Sequence, residues 1–185
     1  QFFIGEGQEV GRQWQIPLKS NYAAAPLLMI DRELVLGDYA QLRADNGQPF
    51  RLNVGNESHF IVHYDQTLLD DILNSSADMA PIGQLQLLQD LRLLAEGRQI
   101  SYADVVPVLA PFAKSDSNVV ADALYTVAGN LKKFVTPGEE SEQHLRRFFD
   151  QLSKAQVARL GWLVQPTDSN CLLYTSDAAD DMQCV

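Results

Sequence analysis

Apolar and polar residues alternate along the first 65 residues of the chain, and this period of two predicts short β-strands. The clearest stretch is RQWQIPLKS, in which Pro17 is typical of an edge strand. Further strands are expected at ELVLG, which ends at Gly37, and at PFRLNV, which precedes the turn signal GNES. The predicted buried faces of the first and last of these strands consist of Trp14, Ile16, Leu18, Phe50, Leu52 and Val54. A meander of such strands predicts a partial β-sandwich over residues 1–65.

After Asp65 the apolar period lengthens from 2 to 3.6 residues, which predicts helices. QTLLDDILNSS is expected to form a short amphipathic helix. PIGQLQLLQDLRLLAEG is expected to form a longer one, with Pro81 in its first turn and Gly97 as its stop. The apolar stripe of this longer helix consists of Leu85, Leu88, Leu91 and Leu94. We interpret the stripe as core packing rather than as a cofactor-binding surface.

The third predicted helix, SYADVVPVLAPFAKS, carries a capping signal. Ser101 is placed to be its N-cap, and Asp104 occupies the position of the acid in a capping box. Pro107 lies inside the helix and is expected to bend or restart it.

The remaining sequence predicts three more helices. SNVVADALYTVAGNLKKFV gives the clearest pattern, and Lys132 and Lys133 fall in its last turn, where the helix dipole favours cations. Its predicted inward face consists of Val120, Ala123, Leu124, Val127, Leu131 and Phe134. EESEQHLRRFFDQL and SKAQVARLGW follow, the second ending at Gly161. The fold class is therefore α+β by segment: a partial β-sandwich, then over residues 66–170 a superhelix-like array of antiparallel helix pairs.

Charge and hydropathy exclude several classes of partner. The chain has 185 residues, 46% of them hydrophobic, and a formal net charge of −10 at pH 7. Nucleic acids and anionic membranes do not attract such a protein, so neither is expected as a partner. No apolar run approaches the ~20 residues that a membrane-spanning helix needs.

The last fifteen residues, CLLYTSDAADDMQCV, differ in character from the rest. They resemble the translation of a transposase-type sequencing adapter, so residues 171–185 are interpreted as non-native. Without the three aspartates of this tail, the net charge changes from −10 to −7. The tail also holds both cysteines, Cys171 and Cys184. A native part without cysteine favours a reducing cytoplasm.

The chain opens without methionine or a signal peptide, and we expect it to be an interior piece of a longer protein.

Two of the three histidines, His59 and His63, lie four positions apart beside Asp65 in SHFIVHYD. On a helix they could chelate one metal ion. The alternation of Phe60, Ile61 and their neighbours predicts a strand instead, in which positions i and i+4 stand roughly 13 Å apart. Two ligands of one zinc ion cannot be that far apart. We therefore expect two polar-face histidines and no zinc site.

No other constellation points to catalysis. His144 is not part of H-E-x-x-H, and neither is His59 or His63. There is also no G-x-S-x-G elbow and no phosphate-binding glycine loop. The acidic pairs Asp70–Asp71 and Glu139–Glu140 are expected to be solvated helix positions. Arg146 and Arg147 could meet a peptide carboxylate, but a surface role is favoured. We predict no catalytic, cofactor-binding or metal-binding residue in this chain.

A family resemblance covers residues 1–170. FFIGEGQEVGRQWQIPL, RLNVGNESHFIVHYDQTLLDDIL, LQLLQDLRLLAEGRQISYADVVP and SKAQVARLGW resemble, in this order, the aminopeptidase N family of the lactic-acid-bacterial type. The resemblance implies a zinc aminopeptidase of the gluzincin group, in which zinc-activated water attacks the first peptide bond. Many relatives have arginine where this chain has Ile61, which favours the bacterial cytoplasmic subfamily.

The resemblance also implies which part of the enzyme this is. Residues 1–65 correspond to the β-sandwich domain after the catalytic domain, and residues 66–170 begin the C-terminal helical domain. The zinc ligands and catalytic groups of the family lie upstream of Gln1, so none is carried over. The chain would wall the substrate chamber and restrict it to short peptides, with the missing catalytic domain and peptide substrates as partners. The alternative is a stand-alone helical-repeat module that binds a protein partner.

Overall fold

The computed structural model of the chain describes residues 15–23, 28–29 and 34–161. Predictions that concern Trp14 or the tail from residue 171 lie outside these residues. The described part is mostly helical, and none of its helices is long and apolar enough to cross a membrane. Its elements are β1 (Ile16–Pro17), β2 (Leu28–Met29), α1 (Tyr39–Asn46), α2 (Gln66–Asn74), α3 (Pro81–Glu96), α4 (Tyr102–Phe112), α5 (Asn118–Gly129) and α6 (Glu140–Leu160), with 3₁₀ turns at Ser76–Asp78 and Asn130–Phe134.

The predicted β-sandwich is not seen among the described residues. There, β1 and β2 form a two-residue antiparallel pair, and Ser20 makes one isolated bridge with Leu52. Residues 34–36 and 59–65, both predicted as strands, are irregular, and α1 was not predicted. The prediction of a regular sheet in these segments is therefore wrong.

Side chains supply hydrogen-bond partners in this region beside a few backbone bonds, such as that from the N–H of Asn21 to the carbonyl of Arg51 at 3.2 Å. The Asn21 amide donates to the carbonyl of Pro49 and its oxygen accepts from the N–H of Arg51, both at 2.7 Å. The Asn53 amide likewise donates to the Ser58 carbonyl at 2.7 Å and accepts from the Ser58 N–H at 2.8 Å. Buried backbone groups need partners, and an amide side chain can satisfy a donor and an acceptor at once. The segments stay extended or turned without forming a sheet.

Some apolar positions of the predicted strands are nevertheless buried: Leu18, Phe50 and Leu52 are, whereas Ile16 and Val54 are only partly buried and Val35 is 84% exposed. The rings of Tyr22 and Phe50 meet edge to face, with centroids 5.2 Å apart. They belong to a small core that contains Leu18, Tyr22, Phe50, Leu52 and Val62. The alternation thus identified part of this core, namely Leu18, Phe50 and Leu52, although the backbone around them is not a sheet.

Helices α3, α4 and α5 form the main core, each packing against the other two. Of the predicted stripe on α3, Leu88, Leu91 and Leu94 are buried, and Leu85 is only partly so. The largest fully buried side chains of these helices are Leu88, Leu94, Val105, Leu109, Phe112, Val120, Leu124 and Val127. Helical packing after residue 65 is confirmed, whereas a superhelix of antiparallel pairs stays a prediction.

The capping box predicted for α4 is present. Ser101 Oγ accepts from the N–H of Ala103, and Asp104 accepts from the N–H of Ser101, both at 3.0 Å. These bonds satisfy two backbone donors that a helix start otherwise leaves without partners. The helix then continues through Pro107 to Phe112 as one element, so the proline does not restart it.

The inward face predicted for α5 is correct up to Val127 and fails at Phe134. Val120, Leu124 and Val127 are buried, but Phe134 is 65% exposed. The chain tightens into a 3₁₀ turn after Gly129. That turn advances about 20° more per residue than an α-helix, or roughly 100° over five residues, so Phe134 leaves the buried face. Its ring lies instead beside that of Tyr102, with centroids 5.2 Å apart.

A single helix, α6, replaces the last two predicted helices. The second of these helices was expected to begin at Ser153. Its hydroxyl donates instead to the carbonyl of Phe149 at 2.9 Å, so Ser153 fits inside the helix. Gly161, with φ of 68°, follows its last residue as predicted. Among the described residues, those up to Phe134 and those from Val135 to Gly161 form separate compact units. The boundary between predicted domains at residues 65 and 66 stays a prediction.

Candidate functional site

A buried carboxyl group on α3 is the most unusual chemical feature of the described residues. Asp90 is 6% exposed and lies one helical turn after Gln86, which is 8% exposed. One carboxylate oxygen of Asp90 accepts from the N–H of Val62 at 3.2 Å. The bond fastens the irregular segment before α2 to the centre of α3.

The environment of Asp90 favours its neutral form. Among the described residues, no lysine or arginine forms an ion pair with it. Burial raises the pKa of Asp90 from 3.8 to about 7, against the opposing effect of hydrogen bonds from Val62 and Gln86. Desolvation disfavours a charged carboxylate, and two hydrogen bonds compensate only part of that loss. The carboxyl therefore holds a proton over much of the acidic pH range.

Tyr64 lies beside this carboxyl and is neutral as well. Its hydroxyl oxygen accepts from the N–H of Leu52 at 3.0 Å. Burial raises the pKa of Tyr64 to about 12, the nearby Asp90 adds to the rise, and Arg51 opposes it. The pair supplies hydrogen-bonding groups rather than a nucleophile and its base.

Asp90 and Tyr64 line a cavity of about 100 Å³ together with Arg51, Gln86, Met79 and Gly83. A β-carbon at Gly83 would lie 2.9 Å from the Met79 side chain, so the glycine allows this close packing. Most of its lining is apolar, and the polar groups of Asp90, Tyr64, Gln86 and Arg51 occupy part of its wall. We interpret the group as a buried polar contact that orders the segment before α2.

A larger, open groove lies between α2, α3 and α4 and has a volume of about 670 Å³. Its floor is apolar and includes Leu87, Leu91 and Leu94 of α3, which are 5%, 5% and 1% exposed. Its rim carries three exposed aspartates, Asp65, Asp70 and Asp104. We call this depression the acidic groove.

The histidines singled out from the sequence do not lie on a regular element. His59 and His63 are exposed, and the strand predicted for this stretch is wrong because Val62 donates its N–H to Asp90 instead of a neighbouring strand. Within the described ranges, no group of three or more His, Cys, Asp or Glu residues could hold a metal ion. The absence of a zinc site from the whole chain stays a prediction.

The other candidate residues lie on α6, where their bonds are local. His144 Nε2 lies 3.4 Å from Glu140 Oε1, and both side chains are largely exposed. Arg146 pairs with Glu142 at 2.7 Å, and Arg147 donates to the Gln143 carbonyl at 3.3 Å. Glu139 precedes the helix without capping it through its side chain. These contacts agree with solvated surface positions on one helix.

The acidic pairs were predicted to be solvated helix positions, and Asp71 is an exception. One of its carboxylate oxygens accepts from the Tyr39 hydroxyl at 2.6 Å and from Arg43 Nε at 2.7 Å. Burial and the hydrogen bond from its hydroxyl to Asp71 raise the pKa of Tyr39. Asp71 thus joins α2 to α1, and describing it as merely solvated is wrong. Asp70 is exposed as expected and accepts from Gln66 at 2.7 Å.

Sequence reasoning missed Asp90 and Gln86 as well as the role of Asp71. A signal for Asp90 was present, because it lies two residues after Leu88 and four before Leu94 on a helix with apolar residues around most of its circumference. A charged residue among such neighbours is buried whenever the helix is packed on several sides. The partner of Asp71 lies on α1, which the sequence pattern did not reveal.

The chain is similar to bacterial aminopeptidases. It is 61% identical to aminopeptidase N of Lactobacillus delbrueckii subsp. lactis over 170 residues, which are 92% of this chain and 20% of that protein. It is 59% identical over the same length to aminopeptidase N of Lactobacillus helveticus, again 92% of this chain and 20% of the relative. With aminopeptidase N of Lactococcus lactis subsp. lactis (strain IL1403) the identity is 36% over 163 residues, or 88% of this chain and 19% of the relative.

The chain therefore spans about a fifth of the length of these relatives. A family model, the ERAP1-like C-terminal domain, matches residues 50–178. That range includes every helix from α2 to α6 and the acidic groove. Because the match extends over well more than half of the sequence, the chain belongs to the ERAP1-like C-terminal domain family.

Proposed function

We propose that this chain is a non-catalytic C-terminal part of a zinc-dependent aminopeptidase that removes N-terminal residues from peptides. The observation that carries the proposal is the identity of 61% and 59% to two proteins named aminopeptidase N over 92% of the chain. Identity of that extent along the whole aligned length favours a shared role in the parent enzyme. It also favours this role over a stand-alone interaction module.

The chemistry of the parent enzyme would reside outside this chain. The described residues offer no donor set that fits a zinc ion, since His59 and His63 are exposed on an irregular segment. We therefore assign no chemical step to this chain. Its partners would be the catalytic domain of the same polypeptide and, in the assembled enzyme, peptide substrates. The lack of cysteine before residue 171 favours a cytoplasmic setting.

The role of the chain would be to wall the substrate chamber. Three mutually packed helices with a continuous apolar core provide a rigid surface, and the capping box fixes where α4 begins. A rigid wall limits the chamber by sterics and admits short, unstructured peptides in preference to folded chains. The superhelical arrangement expected from the sequence would extend this wall.

A chimera tests this proposal directly. Residues 1–170 replace the matching segment of Lactobacillus helveticus aminopeptidase N, and the product is assayed with an aminoacyl 4-nitroanilide and with peptides of increasing length. We expect activity on the small substrate and a preference for short peptides close to those of the parent. Deleting the segment should abolish activity or the length preference.

Two variants of the chimera serve as matched controls on α5. Leu124→Asp places a charge at a fully buried position and should abolish function together with folding. Asp122→Asn changes an exposed position and should leave both unchanged. A folded but inactive chimera would contradict the proposal. So would an isolated chain that hydrolyses the amide or binds one zinc ion that is lost in His59→Ala.

A further inference from the structure

Helix α1 ends in the dipeptide Asn46–Gly47, which is accessible on its solvent side. Asn46 is the last residue of the helix and is partly exposed, and Gly47 follows it, exposed, with a φ of 66°. Apart from its chain neighbours, no atom of the described residues lies within 4 Å of the position that a β-carbon of Gly47 would occupy. Glycine also has no side chain of its own to hinder its nitrogen. This combination favours attack by the Gly47 nitrogen on the side chain before it.

The reaction open to this dipeptide is deamidation, which makes asparagine one of the thermally labile residues. The Gly47 nitrogen, after losing its proton to a base from solvent, forms a bond to Cγ of Asn46. The bond between Cγ and Nδ2 breaks, and ammonia leaves. Water then opens the resulting cyclic imide. Opening at the side-chain carbonyl gives aspartate, and opening at the backbone carbonyl gives isoaspartate, whose main chain runs through the β-carbon.

Two hydrogen bonds of the folded chain restrain this reaction. The N–H of Gly47 donates to the carbonyl of Arg43 at 3.0 Å, and Nδ2 of Asn46 donates to the carbonyl of Leu42 at 2.8 Å. Both bonds must break before the nitrogen can approach Cγ. Helix α1 has 8 residues, none of them buried, and the ends of such short helices fray readily. The reaction therefore starts from the frayed last turn.

The products do not fit the end of α1. A carboxylate at position 46 cannot donate to the carbonyl of Leu42, and it adds a negative charge at a helix C-terminus, where the dipole disfavours it. Isoaspartate also lengthens the main chain shortly before Gln48 and Pro49. Their carbonyls accept from the Tyr22 hydroxyl at 2.5 Å and from the Asn21 amide at 2.7 Å. These bonds hold the segment after α1 against the small core, so a longer main chain disturbs them.

We propose that Asn46 is a site of spontaneous deamidation, reached when the last turn of α1 frays, and that its conversion loosens the join between α1 and the small core. The same helix carries Tyr39 and Arg43, which bond to Asp71 of α2. The loosening therefore extends to that contact. The inference does not depend on the aminopeptidase proposal.

Peptide mapping by mass spectrometry tests the modification on the full chain, kept in mildly alkaline buffer and sampled over weeks. Asn74 is the matched comparator, because it is the last residue of α2 and the N–H of Ser75 after it also bonds back to its helix. We expect Asn46 to convert at least about fivefold faster than Asn74, since glycine lacks the side chain that serine carries. In urea, which removes the restraining bonds, conversion of Asn46 should accelerate. Conversion no faster than that of Asn74, or an unchanged rate in urea, would overturn the proposal.

Hydrogen exchange tests the structural consequence. Ion-exchange chromatography separates the deamidated chain by its added negative charge. The amides of residues 39–50 should exchange about three- to tenfold faster in that fraction than in unaged protein, as expected for the loss of about one hydrogen bond. Asn46→Asp should reproduce part of this acceleration without ageing. Exchange that is the same in the deamidated and unaged chains would overturn the proposal.

Two conservative variants complete the test. Asn46→Gln has a longer side chain that forms the corresponding imide slowly, so its exchange in residues 39–50 should not change on ageing. Asn74→Gln is the matched control and should age like the wild type. Circular dichroism establishes that both variants are folded. Equal acceleration of exchange on ageing in Asn46→Gln and wild type would refute the assignment to Asn46.

Discussion

Replacing Asp90 by asparagine separates the charge of this buried side chain from its shape. The amide oxygen of the Asp90→Asn variant can accept from the N–H of Val62 as the protonated acid does, so the bond at 3.2 Å is retained. Only the ability to ionise is lost. The variant is therefore a permanent mimic of the neutral side chain.

The magnitude of the effect follows from the raised pKa. Below pH 3.8 the carboxyl is protonated in both the folded and the unfolded chain, and it contributes no pH dependence. Between pH 3.8 and about 7 the folded chain keeps the proton while the unfolded chain releases it, so the free energy of unfolding falls as pH rises. At ~1.36 kcal/mol for each pH unit, the total loss is about 4 kcal/mol. Above about pH 7 the contribution is constant again.

Urea unfolding followed by circular dichroism measures this effect between pH 4 and 8.5. We expect the free energy of unfolding of Asp90→Asn, relative to wild type, to increase through this range and to level off above neutral pH. Asp70→Asn is the control, because this exposed aspartate should give a difference within ~0.5 kcal/mol at every pH. The reasoning would be refuted if the free energies of unfolding of wild type and Asp90→Asn changed in parallel with pH. It would also be refuted if the advantage of Asp90→Asn shrank as pH rises.

Three further predictions concern the caps, the ion pair and the tail. Ser101→Ala should lower the free energy of unfolding by about 1 kcal/mol, because it removes the acceptor for the Ala103 N–H. Ser117→Ala is its control, since the Ser117 side chain makes no capping bond; equal effects in thermal unfolding would contradict the expectation. Asp71→Ala should cost about 1–3 kcal/mol in urea unfolding by breaking its bonds to α1, and an effect no larger than that of Asp70→Ala would count against it. Deleting residues 171–185 should leave the melting temperature unchanged within about 1 °C, whereas a drop of several degrees would show that the tail packs.

The helices after residue 65 could be predicted because their signals are local. The capping box at Ser101, the proline in the first turn of α3 and Gly161 after α6 mark where these helices start or end. Apolar spacing gave their buried faces. The errors arose where a local signal had a second interpretation. Ser153 can break a helix or bond back within it, and the turn after Gly129 can continue as an α-helix or tighten.

The candidate site could not be predicted, because its members come from distant parts of the chain. Asp90 meets Val62 across 28 positions, and Arg43 meets Asp71 across the same separation. A residue's own neighbours in sequence say little about such a partner. The acidic groove is similar, since its rim combines two helices whose aspartates, read singly, are ordinary N-terminal and surface residues.

The failure of the strand predictions has a common physical cause. Alternation of apolar residues reports which side chains turn inward, but a sheet also requires a neighbouring backbone to satisfy the N–H and C=O groups. In this chain, side chains supply those partners: the amide of Asn53 for Ser58, the hydroxyl of Tyr64 for Leu52 and the carboxyl of Asp90 for Val62. Asn53 also adopts a φ of 55°, a left-handed conformation that asparagine tolerates and a strand does not contain. Polar residues placed within an alternating stretch are therefore as informative as the apolar ones, because they show which backbone groups can be satisfied without a sheet.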